Sequence, residues 1–486
     1  MQIKGAAACI SHISRLRFCK EQMNTTLAGV SYELLQRFDV SGPRYTSYPT
    51  ADRFVEAFTE ADYLRALDLR FGAATALNSP LSLYLHIPFC ESLCYYCACN
   101  KVITKHHSRS AQYLRYLERE TKLHTDRIGK SQVLGQLHLG GGSPTFLTDD
   151  ELRQAMALLR ENFRFAPAAE ISIEVDPRTV NGTRLKALWN MGFNRLSFGV
   201  QDFDAAVQKA VHRIQPVQQV FNLVAAAREF GFESINVDLI YGLPQQSPQS
   251  FDKTLEQIAQ LRPDRIALYA YAHLPQRFKP QRRIDSADLP SASDKVTMLS
   301  RSIQALLAVG YVYVGMDHFA LPDDALAVAK RQGRLHRNFQ GYSTQPDCDL
   351  IALGVSSIGR IGATYSQNAK TLEEYYDLLD QGRLPVVRGV ALTRDDLLRR
   401  AVIMAIMCQG VLHFESIAIG YLVDFSRYFA PELEALQPLA AQGLVELDDT
   451  FIQVTPTGWF FVRAIAMVFD RHLQADINRN RFSKIL

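Results

Sequence analysis

Residues Leu81 to Lys101 read LSLYLHIPFCESLCYYCACNK. The first nine, Leu81 to Phe89, form an apolar, strand-like run, and three cysteines follow at once in the spacing Cys90-x-x-x-Cys94-x-x-Cys97. A [4Fe–4S] cube ordinarily takes four thiolates. Three in one loop leave one iron open, able to bind a small molecule through its amine and carboxylate and to pass it an electron. The spacing therefore predicts that Cys90, Cys94 and Cys97 hold such a cluster. Structural zinc is the competing reading, since thiolates also suit a tetrahedral site. It fits less well: zinc units pair one C-x2-C with a second further along, and Cys9, Cys19, Cys348 and Cys408 make no such pair. Cys99 lies two residues beyond Cys97, too close to complete a tetrahedron comfortably.

A chain of 486 residues, 47% hydrophobic, can bury a large core and has the length of two or three domains. Eight cysteines, four of them between Cys90 and Cys99, make no disulfide framework and point to a reducing, cytoplasmic setting. With 53 basic against 50 acidic residues there is no general field for nucleic acid or an anionic membrane, so an anionic substrate must be caught by local arginines. No apolar run approaches the eighteen or so residues of a membrane span. Residues 1–22 carry four basic residues and one acid, loosely like a transit peptide but without its arginine-rich amphipathic length. Residues 1–29 are expected to be a disordered extension, and Met23 would serve equally well as a start.

Past the cysteines, short β-branched or apolar runs alternate with amphipathic, helix-length stretches. Strands are predicted near Leu81–His86, Leu134–Leu139, Glu170–Val175, Arg195–Val200, Ile235–Ile240 and Arg265–Tyr271, with helices over Ser110–Arg127, Asp149–Asn162, Gly182–Met191, Pro216–Phe230 and Ser247–Leu261. Six βα units imply an α/β fold with a parallel sheet, an incomplete (β/α)6 barrel short of the usual eight. Ligands in such folds gather beyond the carboxyl ends of the strands. Cys90, the Gly140-Gly141-Gly142-Ser143-Pro144-Thr145 turn, Glu174 with Asp176, Gln201 and Asp238 all fall there. From about Thr393 the pattern changes to short helices, a hairpin of Leu444–Glu446 with Ile452–Val454, and a capped helix from Thr457, an order resembling a winged helix. Nine Lys and Arg against eleven Asp and Glu in residues 393–486 argue against phosphate binding there. The expected division is an arm and helix over 30–80, a catalytic domain with an extension over 81–392, and a mostly helical, winged-helix-like lid over 393–486.

The cysteine spacing, with Tyr96 before the last ligand, resembles the radical S-adenosylmethionine superfamily, whose fold is the incomplete barrel just described. The resemblance is closer still to the bacterial oxygen-independent coproporphyrinogen III oxidases. It rests on GPRYTSYPTA (Gly42–Ala51), the cysteine segment, HLGGGSPT (His138–Thr145), EISIEVDPR (Glu170–Arg178), FGVQDF (Phe198–Phe203), VDLIYGLP (Val237–Pro244), YAHLP (Tyr271–Pro275), GMDHFALPDDALAVA (Gly315–Ala329) and LHRNFQGYSTQ (Leu335–Gln345), and runs from about Val30 to the C-terminus. It implies decarboxylation of two propionates of coproporphyrinogen III to the vinyl groups of protoporphyrinogen IX in heme biosynthesis, started by a 5'-deoxyadenosyl radical. It also implies a [4Fe–4S] cluster on Cys90, Cys94 and Cys97 and two molecules of S-adenosylmethionine, together with a reductant and an electron acceptor the sequence does not identify. The cofactor residues implied are Tyr84, Tyr96, Gly141, Gly142, Ser143, Glu174, Gln201, Arg213, Asp238, Ala272 and Ile358. Cys99 belongs by the same resemblance to the region of the second S-adenosylmethionine, and Tyr84, Cys99 and Arg44 are the candidate catalytic residues.

Arg44 stands among Tyr45, Thr46, Ser47 and Tyr48, which suits an arm folded over a mouth and reaching a tetracarboxylate. His273, Asp317, His318 and His336 are further candidates for the substrate side. Leu139 replaces the family's usual tryptophan and Ser143 its threonine, both mild changes. A monomer without nucleic-acid partners is expected. Two alternatives remain open: a heme chaperone of the same superfamily, whose members carry an aromatic at the position of Cys99 and lack the arm, and a nucleic-acid-modifying protein using the winged module.

Overall fold

The computed structural model describes residues 32–38, 40–72 and 80–474. The expected extension over 1–29 and the last twelve residues lie outside that range.

The six predicted strands form and pair in parallel, in the order β1 (Leu81–Ile87), β2 (Val133–Gly141), β3 (Arg164–Val175), β4 (Arg195–Gln201), β5 (Ser234–Tyr241) and β6 (Arg265–Ala270). Helices between them cover the sheet: α1 (Glu60–Phe71) precedes β1, then come α2 (Ser108–Ile128), α3 (Asp149–Asn162), α4 (Gly182–Asn190), α5 (Val217–Phe230) and α6 (Pro248–Leu261). Their starts are set by local chemistry. Thr148 accepts a hydrogen bond from Glu151 N while the Glu151 carboxylate takes the Thr148 N–H, and Ser247 with Ser250 repeats the arrangement for α6. Gly231, in the left-handed region at φ 90°, ends α5 and turns the chain into β5.

The sheet is larger than the six units predicted. A further parallel strand, β9 (Leu350–Leu353), joins the free edge of β1, and antiparallel strands extend both sides: β10 (Ile358–Ile361), β11 (Thr364–Asn368) and β12 (Val386–Ala391) beyond β9, and β8 (His318–Ala320) then β7 (Val312–Gly315) beyond β6. The resulting order, β12-β11-β10-β9-β1-β2-β3-β4-β5-β6-β8-β7, is open at both ends, so the barrel is incomplete as expected but flanked. Boundaries also differ, by one residue at the ends of β1, β4 and β5. β2 runs on through Gly141, so two of the three glycines are strand rather than turn; β3 starts at Arg164; and β6 stops at Ala270.

Helix α7 (Ala292–Ala308) packs on α6 beside the sheet, and in the C-terminal region α8 (Arg394–Gln409) opens on a Thr393–Asp396 capping box. The predicted hairpin, β14 (Val445–Leu447) with β15 (Phe451–Val454), gains a third strand, β13 (Val411–His413), on the far side of β15. The expected capped helix at Thr457 is instead a 3-10 turn over Gly458–Phe461 leading to a short helix, Val462–Met467; the N–H of Gly458 is taken by the hydroxyl of Thr455, two residues before the expected cap.

Candidate active site

At the carboxyl edge of β1 the backbone leaves the sheet through Phe89 and Cys90 and enters the cysteine loop, which is fixed to its surroundings at several points. Tyr95 N donates to Val211 O at 3.0 Å, His212 Nδ1 donates to Leu93 O at 2.9 Å, and the Tyr95 and His212 rings stack 5.2 Å apart. An apolar wall of Val207, Val211, Leu243, Tyr271 and Ile284 backs Tyr95 and Tyr96. Burial and charge on Cys97 and Cys94 push the Cys90 thiol up to about 12. The Cys90 thiol thus resists ionisation beside its two neighbours, a resistance that bound metal would remove because a coordinating thiol is deprotonated outright. The Cys94 sulfur is the best supplied with positive charge: Nη2 of Arg178 and Nη1 of Arg213 each lie 3.5 Å from it. Both arginines also hold Asp176, Arg178 Nη2 at 2.7 Å and Arg213 Nη2 at 3.3 Å. Burial alone would raise the Asp176 carboxyl, but Arg213 and Arg178 hold it below the usual carboxylate range. Hydrogen bonds to cluster sulfurs tune a cluster's potential, so this chain's donor set fits a thiolate-held cluster. Among the described residues, no three His, Cys, Asp or Glu side chains converge on a single ion's position.

Cys97 and Cys99 act on one another. The Cys97 thiol is lowered by a hydrogen bond from Cys99 and by Lys101, and the Cys99 thiol is raised by the same contact. Lys101 Nζ donates to the carbonyls of Cys97 at 3.1 Å and Cys99 at 3.3 Å. Cys99 is exposed, and the charge of Glu174 acts on it.

The glycine turn lies directly against this loop. Gly142 N donates to Ile87 O at 2.8 Å and Ser143 N to Phe89 O at 2.9 Å. A Cβ on Gly142 would stand 2.6 Å from Pro88 O, a backbone clash, so only glycine permits the approach. The Ser143 hydroxyl turns inward to Thr145 at 3.1 Å. Gly141 N donates to Glu174 Oε2 at 3.2 Å, and His138 Nε2 reaches Glu174 Oε1 at 3.4 Å. Tyr84, opposite His138 in the β1–β2 register, stacks on it at 5.9 Å. The Tyr84 hydroxyl bonds His86 Nδ1 at 3.1 Å while His86 Nε2 donates to Asn100 O at 3.1 Å, tying β1 to the far end of the cysteine loop.

Asp238 sits deeper, across Gly199 in the β4–β5 register. Asn236 Nδ2 donates to its Oδ1 at 2.8 Å and the Ser197 hydroxyl to its Oδ2 at 3.3 Å. Burial, then the charge of Glu174, push its carboxyl up to about 6. Gln201 ends β4 in the left-handed region at φ 69°, and His212 (φ 55°) and Ser356 (φ 63°) share that strained geometry near the same edge. Ala272 follows β6, its carbonyl accepting from Gln281 Nε2 at 3.1 Å; the same nitrogen bonds Tyr96 O at 3.0 Å. Ile358 opens β10, which runs antiparallel to β9, so it too lies at the carboxyl edge.

On the other side of the mouth, Arg44 lies over the Tyr269 ring at 5.1 Å and meets Asp317 at 3.6 Å. His318 is turned inward, its Nδ1 bonding Met316 O at 2.6 Å; His273 packs on Tyr271; His336 is half-buried in a separate hairpin. The expected cluster and cofactor residues therefore come together at one edge, with Arg44 and Asp317 beside them and His336 apart. Sequence reasoning missed Arg178, Gln281, His86 and Lys101. His86 and Lys101 stand inside the cysteine segment, and Arg178 two residues past Asp176, where proximity was a usable signal; Gln281 had none.

Residues 84–258 match the radical SAM superfamily model, and 392–461 match the HemN C-terminal domain. The chain is similar to the oxygen-independent coproporphyrinogen III oxidases of Pseudomonas aeruginosa and Escherichia coli, 49% identical to each, with 93% of this chain and 98% of each relative covered. Among solved structures it is similar to coproporphyrinogen III oxidase from Escherichia coli, described as a radical SAM enzyme, at 48% identity and TM-score 0.84, covering 89% of this chain and all of that one.

Proposed function

The chain belongs to the oxygen-independent coproporphyrinogen III oxidases, and on that premise we propose that it converts two propionate side chains of coproporphyrinogen III into the vinyl groups of protoporphyrinogen IX. Its cofactors are a [4Fe–4S] cluster and S-adenosylmethionine, as in the superfamily its barrel matches, which sets aside structural zinc. When bound, they supply an electron and a carbon radical able to remove an unactivated propionate hydrogen that no side-chain base could take as a proton.

The residues of this chain bind and orient. Cys90, Cys94 and Cys97 are the thiolate ligands, and Arg178 and Arg213 neutralise Cys94 from one side. Gly141, Gly142 and Ser143 present close backbone to the amino-acid end of S-adenosylmethionine, with Glu174 placed to accept from its amine. Asp238 and Gln201 would face the ribose as hydrogen-bond partners, Arg213 would offer its fork to a carboxylate on releasing Asp176, and Tyr84, Tyr96, Ala272 and Ile358 would wall the cofactor and exclude water. Cys99, exposed beside Cys97, borders a second S-adenosylmethionine. Arg44 on the arm draws the tetracarboxylate to the mouth. We further assign residues 30–80 to the arm and its helix, 81–392 to the catalytic domain and 393–486 to a lid. Among the described residues no helix is long and apolar enough to cross a membrane. The same proposal makes the protein a cytoplasmic monomer that takes its electron from a separate reductant, returns one to a separate acceptor and has no nucleic-acid partner.

The observation that carries this assignment is the convergence of cysteine loop, glycine turn and paired carboxylates on one sheet edge. It is tested by anaerobic reconstitution: the wild type takes up about four irons and releases 5'-deoxyadenosine when reduced, and Cys90→Ala, Cys94→Ala and Cys97→Ala each lose both. Retention of the full cluster by any one of these variants would refute the ligand set.

A further inference from the structure

A tetracarboxylate needs cations at the mouth, and the arginines there are not matched by acids. Arg44 makes one ion pair among the described residues, the long 3.6 Å contact with Asp317, and 28% of its side chain is exposed. Arg337, on the short strand His336–Asn338, is 5% exposed. Its Nε donates to the carbonyl of Arg44 at 3.2 Å and its guanidinium lies 4.8 Å from the Tyr342 ring, but Nη1 is buried without a hydrogen-bond partner and no carboxylate lies within ion-pair distance among the described residues. Three guanidinium groups, those of Arg44, Arg463 and Arg337, thus act on one carboxylate, Asp317, and Arg337 keeps a buried N–H donor unused. A buried charged donor without an acceptor is unfavourable, and such a vacancy is what an anionic ligand fills.

The place is right for the substrate. Tyr269, under Arg44, aligns with Ile240 of β5, two residues beyond Asp238. Asp317 is held by the turn between β7 and β8, where Met316 (φ 43°) and Asp317 (φ 67°) both adopt left-handed backbone, and Leu268 N donates to Asp317 O at 2.8 Å. Arginine forks match carboxylates bidentately. Resting on the functional reading above, we infer that Arg44 and Arg337 form a subsite for one propionate carboxylate of the substrate, with Asp317 as the counter-ion that this carboxylate displaces. Arg463 acts at one remove: it donates to the carbonyls of Gly42 and Pro43 and so positions the backbone that carries Arg44.

The test is an anaerobic fluorescence titration of full-length reconstituted protein with coproporphyrin III and, separately, with its tetramethyl ester. Arg44→Gln and Arg337→Gln raise the dissociation constant for the acid about tenfold or more and leave that for the ester unchanged. Asp317→Asn, by removing the competitor, lowers the constant for the acid. Arg44→Gln keeps every backbone contact of the arm, so it reports on the subsite even if Arg337→Gln loosens the fold. Unchanged binding of the acid by folded Arg44→Gln would overturn the subsite and leave the family activity standing. Failure of the wild type to bind the acid would overturn the functional reading, and the subsite with it.

Discussion

Asp238 shows how one buried residue sets a pH dependence. Its carboxyl is pushed up to about 6 by burial and by Glu174, against the hydrogen bonds of Asn236 and Ser197. A folded-state value above the unfolded one favours the protonated form, so this group's contribution to stability is fully present below about 4 and is lost as pH rises through about 6. Cofactor affinity follows the opposite course, because the ionised carboxylate is the better acceptor for ribose hydroxyls. S-adenosylmethionine binding, measured by calorimetry between pH 5 and 8, weakens as pH falls through about 6, and Asp238→Asn flattens that profile; an unchanged profile in the variant would assign the titration elsewhere. Asp238, Glu174 and the cysteines were legible in the sequence because each ends or follows a recognisable strand. Gln281 was not, since its role in joining Tyr96 to Ala272 arises from a contact 185 residues away in the chain.

At the scale of elements, the six βα units were legible from periodicity, whereas β9 was not: four residues long, it enters beside β1 far from it in sequence. Its far end carries the turn leading to Ile358, and that turn is held by Glu120 of α2. Glu120 Oε2 accepts from Gly354 N at 2.7 Å and the Tyr375 hydroxyl at 2.6 Å, and Oε1 accepts from Asn368 Nδ2 at 2.7 Å. Tyr113 joins the same turn to the cysteine strand, its hydroxyl donating to His86 O and accepting from Val355 N. Glu120→Ala leaves two buried donors, the Gly354 N–H and the Tyr375 hydroxyl, without their acceptor, while Asn368 Nδ2 keeps the Gly354 carbonyl and the Ser357 hydroxyl; it destabilises the protein by roughly 2–4 kcal/mol, about a kcal/mol or more per unpaired donor. Chemical denaturation checks the magnitude, and a several-fold weaker S-adenosylmethionine affinity distinguishes loss of the turn from general loosening. Burial raises the Glu120 carboxyl to about 7, so the stability this group lends declines as pH rises from about 4.5 through 7, a slope that Glu120→Gln removes.

For the molecule as a whole, the arm is the link between the barrel and the C-terminal region. Tyr45 and Tyr48 are fully buried, the Tyr45 hydroxyl donates to Asp470 at 2.9 Å, Arg53 donates to His472 O at 3.0 Å, and Val55 pairs with Gly389 at the edge of the sheet. The GPRYTSYPT motif suggested an arm over a mouth; what the sequence could not show is that Arg463, more than 400 residues later, grips its carbonyls. Arg463→Gln therefore exposes Arg44 and Arg53 to trypsin: limited proteolysis cuts the arm at least about tenfold faster than in the wild type, by the local-opening logic that links protection to contacts, while barrel fragments survive. Equal cleavage rates would show that the arm is held by its tyrosines alone. The central claim is tested most directly by incubating reconstituted protein anaerobically with coproporphyrinogen III, S-adenosylmethionine and a strong reductant, then oxidising and separating the porphyrins. Protoporphyrin IX formed by the wild type and absent with Cys97→Ala is the predicted result; S-adenosylmethionine cleavage without any protoporphyrin, accompanied by tight heme binding, would contradict it and identify a heme chaperone instead.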